Sequence, residues 1–213
     1  MEFERQVLKE KLRKISVVEK KIERLIKLRE SQILSLGGKD QTLLRNMNDQ
    51  IDDTLRLKRE IYEAKIVGTK IKVKLQQMIQ NLSVAGERED WNSEHHMRGG
   101  GRNYVNQAQE IFYKVKQLIL QFEDELQDIY TLRDIKILQG IDNIDRVMKI
   151  YYDNLISDWV VKKRIYNSLH TIESLNDRVI RTLGSLDQEE NQAIKKIVYL
   201  EDRKKEVIMK QFD

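Results

Sequence analysis

No cysteine and no proline occur among the 213 residues. The first absence excludes a disulfide framework, a thiolate zinc site and a cysteine nucleophile, and it suits a reducing, cytoplasmic setting. The second removes the residue that breaks helices most reliably, because proline lacks the backbone N–H and its ring clashes with the preceding turn. Nine glycines are left to punctuate the chain. Long apolar runs are missing as well. The opening MEFERQVLKEKLRK is charged from its second residue and later apolar stretches are interrupted by charge, so the expectation is neither a signal peptide nor a membrane span. What is abundant is charge, 35% of residues beside 40% hydrophobic ones, a balance that fits long solvated helices.

Apolar spacing supports that class. Leu8, Leu12, Ile15, Ile22, Leu25, Ile26 and Ile33 recur at intervals of three, four and seven, the stripe of an amphipathic helix, which should end near Gly37-Gly38. Asp40 is the expected N-cap of a second helix carried by Leu43, Met47, Ile51, Leu55, Ile61, Ile66, Ile71, Leu75, Met78 and Leu82. Residues 1–82 thus read as a basic helical hairpin. Residues 83–103 are polar, hold four of the nine glycines and keep no apolar period, so they read as a flexible loop. A long helix is expected over 104–140, with Val105, Ala108, Ile111, Phe112, Val115, Leu118, Ile119, Phe122, Leu126, Ile129, Leu132 and Ile135 on a broad apolar face. Beyond Gly140 the segments shorten to 141–154, 157–166 and 168–183, with turns at Asn154, Asn167 and Gly184. They form a compact module over 141–186, followed by a charged C-terminal helix over 187–213. The expected fold is all-α: long antiparallel coiled-coil-like helices, able to pair with a second copy, followed by a short-helix module resembling a helix-turn-helix.

Charge is distributed unevenly. Residues 1–82 carry 19 Lys/Arg against 12 Asp/Glu, residues 83–140 carry 7 against 10, and residues 141–213 balance at 13 each. The basic arm could attract phosphate backbones through counterion release. A solvated lysine-rich helix face, held by i,i+4 pairs, accounts for the same counts.

The stretch from Arg146 to Leu183 reads as helix, turn, helix, turn, helix, with Val161 and Ile165 on one side of the middle helix, a turn at Tyr166-Asn167 and Ser168 as cap. It resembles the helix-turn-helix of sigma-factor region 4. Ser168, Thr171 and Ile172 match the start of that family's recognition helix. Asp153-Asn154-Leu155, Ser157-Asp158-Trp159, Arg146 and Tyr151-Tyr152 are similar to the segments that lead into it. With MRGGG at 97–101 and LQDIYTLRDIKILQGID upstream, the chain looks like the phage late-gene transcriptional regulators of the ArpU and RinA type. That resemblance implies a dimer that binds duplex DNA. Ser168, His170, Ser174, Arg178 and Arg181 would face the major groove, and Lys162, Lys163 and Arg164 would contact phosphates. Two features depart from the family: Lys162 stands where a small alanine is usual, and residues 141–213 carry no net charge.

Other chemistry-bearing residues do not assemble in sequence. His95 and His96 are adjacent, a poor spacing for one metal, and His170 has no recognisable triad partner. Gly99-Gly100-Gly101 lacks the Walker spacing. Glu123-Asp124-Glu125 and Glu189-Glu190 read as solvated charges, and Trp91 reads as an aromatic that docks on the long helices or on a partner. No catalytic site, metal or cofactor is therefore expected. Beside DNA binding stands a second reading, a non-catalytic helical scaffold, adaptor or inhibitor acting on a protein partner, for which no basic face is needed.

Overall fold

Alternating intervals of three and four residues keep side chains on one stripe of a helix, and three segments carry such a stripe to burial. In one, Ile61, Ala64, Gly68, Ile71, Leu75, Met78, Leu82 and Ala85 are all buried; in the next, Val105, Ala108, Phe112, Val115, Ile119, Phe122 and Leu126 are; in the last, Ile165, Ser168, Ile172, Leu175, Val179, Thr182 and Leu186 are. A computed structural model describes residues 2–94, 102–132, 134–137 and 158–210. Among these the chain is all-helical: α1 (Glu2–Leu36), α2 (Lys39–Glu94), α3 (Arg102–Gln127) and α4 (Asp158–Met209). None of these helices is long and apolar enough to cross a membrane.

The chain divides into two compact units, one of residues 57–191 and one of residues 1–56 with 192–213, so the divisions fall inside α2 and α4 and not at the glycine-rich segment. In the larger unit the three stripes form one apolar core. Its helix directions follow from the contacts. Arg88 of α2 lies over the Tyr104 ring of α3, 4.8 Å from its centroid, while Gly68, five turns earlier, faces Phe122, so α2 and α3 are antiparallel. Gly86 faces Ile165 and Tyr166, and Gly68 also faces Leu183, so α2 and α4 are antiparallel too. Gly68 occupies a stripe position that other turns fill with isoleucine or leucine. A Cβ there would stand 2.8 Å from both Leu183 Cδ2 and Phe122 Cζ, so this is where the helices need a residue without one.

In the smaller unit Ile33, Leu44 and Ile208 close a second core, with Ile26, Leu34 and Val207 against it. The break between α1 and α2 is where the glycines predicted it. Gly37 and Gly38 have φ of 80° and 99°, the left-handed region that side chains with a Cβ avoid. Gln41 Nε2 donates to the Leu34 carbonyl at 2.6 Å, satisfying one of the acceptors that the end of α1 leaves unpaired. Asp40 is not the cap. The Gly38 carbonyl accepts the Thr42 N–H at 3.2 Å and starts α2, and Asp40 stands in the first turn, where its carboxylate complements the helix dipole.

Three further expectations are corrected. Residues 83–94 are helix and not loop, because α2 continues to Glu94 and Ala85 is fully buried on the stripe that Leu82 extends; residues 95–101 lie outside the described residues. The helix expected over 104–140 stops at Gln127. There the apolar spacing changes to three (Leu126, Ile129, Leu132, Ile135), and the backbone follows it with Ile129 N–H to Leu126 O, Leu132 N–H to Ile129 O and Ile135 N–H to Leu132 O, at 3.2, 2.9 and 3.0 Å. These tight turns bury Ile129, Leu132 and Ile137 without a helix. Finally, the turns at Tyr166-Asn167 and Gly184 are absent, since α4 is one helix from Asp158 to Met209, about 78 Å at 1.5 Å per residue. The segments 157–166, 168–183 and 187–211 are therefore not separate elements of a short-helix module. Asn and Gly each cost a helix about 1 kcal/mol or less, whereas burying one Ile, Leu or Val yields about 1.5–3 kcal/mol. The stripe through Ile165, Ile172, Leu175, Val179 and Leu186 therefore decides. Residues 141–154, and with them Arg146, Tyr151-Tyr152 and Asp153-Asn154-Leu155, lie outside the described residues.

A glycine pair tests this account. Among the described residues nothing lies within 4 Å of where a side chain at Gly184 would begin. In urea denaturation Gly184→Ala should raise stability by about 1 kcal/mol, the full helix-interior gain. Gly68→Ala receives the same gain but meets overpacking of about 1–3 kcal/mol, so it should lower stability. A loss at Gly184 would restore the turn there.

Candidate interaction surface

The residues expected to read DNA are spread around α4 by its 3.6-residue period. Lys163, His170, Ser174 and Arg181 are exposed on one face about 27 Å long, at 1.5 Å per residue. Asp177 shares that face and interrupts its positive charge. Ser168 points the other way and is 3% exposed, a core residue that can neither cap a helix nor meet a base. Arg164 is half-buried and turned from Lys163 by one residue's rotation. Arg178, the first candidate for base contact, is half-buried and donates from a guanidinium N–H to the Ile137 carbonyl at 3.5 Å. The Lys162 and Trp91 side chains, His95, His96 and Gly99-Gly100-Gly101 lie outside the described residues. At 100° per residue Lys163, Arg164, Arg178 and Arg181 fall within about 100° of arc on α4, the first and last exposed and the other two half-buried. Among the described residues no three His, Cys, Asp or Glu side chains are grouped to hold a metal ion.

Two carboxylates read as solvated have structural partners instead. Glu123 Oε1 accepts the Ile137 N–H at 2.6 Å and pins the turns that follow α3. Glu190 Oε2 and Asp187 Oδ1 each lie 2.7 Å from Lys65 Nζ, joining α4 to α2. Neither link was legible, because 14 and 125 residues separate the partners. In the smaller unit Glu30 Oε1 receives Lys204 Nζ at 2.7 Å and Asn48 Nδ2 at 3.1 Å, so one carboxylate on α1 ties down α2 and α4. Asn176 is 9% exposed, and among the described residues its Oδ1 has no hydrogen-bond partner.

The most distinctive surface lies on α1. From residue 4 to residue 25 every side chain is exposed. Leu8, Leu12, Ile15, Val18, Ile22 and Leu25 lie on one stripe, with exposures from 49% at Ile22 to 64% at Leu12. The spacing through Leu8, Leu12, Ile15, Glu19, Ile22, Ile26, Arg29 and Ile33 alternates four and three without a break. Its last part, Ile26 and Ile33, is covered by the second core. One edge of the stripe carries Lys9, Ser16 and Glu23 and the other Lys11, Val18 and Leu25. Lys20, Arg13 and Arg24 face away from it. Compared with protein families, curated proteins and solved structures, the chain matches none.

The Lys65 triad makes a pH prediction. The hydrogen bonds that Lys65 donates to Asp187 and then to Glu190 hold its pKa above the usual 10.5, against a smaller opposing effect of burial. Because the folded pKa is the higher one, the stabilisation is complete below the unfolded value and is lost as pH rises through the folded one. Lys65→Met should cost on the order of 1 kcal/mol at neutral pH. In urea titrations that difference should shrink toward zero as pH is raised beyond 10.5.

Proposed function

We propose that the chain is a non-catalytic helical interaction protein, a scaffold or adaptor, whose contact surface is the apolar stripe on residues 4–25 of α1. The observation that carries this reading is the exposure of six large aliphatic side chains at heptad spacing, each close to half exposed or more. Contiguous apolar patches of that kind on a protein surface mark places where another molecule sits. A single amphipathic helix gains most of its stability from packing that face, so an uncovered stripe is a binding face in waiting. Its geometry, a straight row at i, i+4, i+7, suits a helix or a helical groove as the occupant.

DNA binding by a phage-type regulator remains the competing reading. Its support is the basic arm, but the residues from Asp158 onward that were expected to make helix, turn, helix form one continuous helix, and Ser168 is in the core. Lysines and arginines on α1 supply only sequence-independent attraction. Fluorescence anisotropy against a random duplex pool at rising salt, followed by sequencing of the retained duplexes, separates the two. The interaction reading expects binding that weakens by orders of magnitude between about 50 and about 200 mM salt, with no enriched motif. An enriched motif overturns it in favour of sequence-specific DNA recognition.

A further inference from the structure

We infer that residues 9–25 of α1 pair with the same residues of a second copy of this chain, running antiparallel about a two-fold axis at Val17. The inference rests on the interaction reading and names its partner. Three observations select this occupant, direction and register.

The first is length. Ile26 and Ile33 are occupied by the second core, so the open stripe ends at Leu25, and reflection through Val17 sets the other end of the paired segment at Lys9, a span of about 26 Å.

The second is the content of the layers. Only one open stripe position is charged, Glu19. A parallel pair would place Glu19 against Glu19 in one layer of the seam, two like charges in a desolvated position. An antiparallel pair about Val17 sets Glu19 against Ile15 and Leu12 against Ile22, so no layer holds two charges and Leu12 and Ile22 each meet an aliphatic group. The two glutamates are then offset by about 6 Å along the axis.

The third is charge on the edges. Reversing a helix brings like edges together, so the edge with Lys9 and Glu23 meets itself. In this register Lys9 of each copy faces Glu23 of the other, giving two opposite-charge pairs related by the axis. On the opposite edge Val18 meets Val18, and the Lys11 stem covers Leu25. A parallel pair would instead leave Glu23 and Glu30 beside Val18 and Leu25. Lys204 already holds Glu30 at 2.7 Å, so that carboxylate is engaged within its own chain.

The test uses the full chain, in which no native cysteine interferes. Sedimentation from about 1 to about 100 µM should show the mass doubling as concentration rises. Leu12→Asp with Ile22→Asp should raise the dissociation constant by about 100-fold or more, because it places charge in the seam. The melting transition of the larger core should stay unchanged, which distinguishes lost pairing from misfolding. Direction is read by oxidation. Leu12→Cys mixed with Ile22→Cys should give mixed disulfide dimers, whereas Leu12→Cys alone should not, since its partner cysteine would be about 15 Å away along the axis, beyond disulfide reach. Efficient self-crosslinking of Leu12→Cys means a parallel pair and overturns the inference. So does a monomer across the whole concentration range, whether the stripe then captures anionic vesicles or nothing. Either failure leaves the duplex selection untouched, so loss of this inference is distinguishable from loss of the interaction reading.

Discussion

Three helices carry an apolar stripe at the same seven-residue repeat, and none can bury its stripe without the other two. That mutual requirement organises the larger unit. It fixes α2 antiparallel to both α3 and α4, and it sets the close approach at Gly68, where the Phe122 ring and Leu183 occupy the space that a side chain would need. It also explains why α4 passes through Asn167 and Gly184 without a turn. A local preference worth about 1 kcal/mol or less per residue yields to a stripe in which each buried aliphatic side chain is worth more. Polar residues on the stripe are carried inward with it. Thr182 is buried and returns its hydroxyl to the Arg178 carbonyl at 3.0 Å, and Ser168 is buried one turn after Ile165.

The same repeat on α1 meets a different fate. Its last turns enter a second core, fastened by Glu30 to Lys204 and Asn48, while the preceding three heptads face solvent. The polar ties concentrate where the apolar cover is thin. Lys65 joins Asp187 and Glu190 across α2 and α4, and Glu123 holds the turns after α3 in the absence of helical hydrogen bonds. Charged side chains here fasten helices whose register the apolar stripes have already chosen, which accords with the modest worth of partly exposed ion pairs. A protein built in this way offers a partner a straight aliphatic row with charged edges, and that is the physical basis of the function proposed for it.

Legibility tracked the range of the interactions. The end of α1 at Gly37-Gly38 was readable because a positive φ is a property of the residue itself. The α3 stripe is readable to Leu126, whereas the change of spacing from alternating three and four to three alone, where the helix ends at Gln127, is a weaker signal. Ser168 carried a strong local signal for an N-cap and Asn167 one for a turn. Both were misread because a capping preference says nothing about what lies across the core. Of the candidate site, the apolar positions on α1 were visible as a stripe, whereas their exposure was not.

By itself the sequence determined an all-helical chain, the heptad spacing of its apolar stripes, the break after Leu36 and the basic character of α1, since each depends on residue type and separation along one helix. Only the tertiary structure decided which stripes are buried, where α3 stops, that α4 is continuous, and that Lys65, Glu123, Glu190 and Glu30 are fasteners. Those outcomes depend on groups brought together from distant parts of the chain, and the free energy of burying them exceeds the local preferences that a sequence displays.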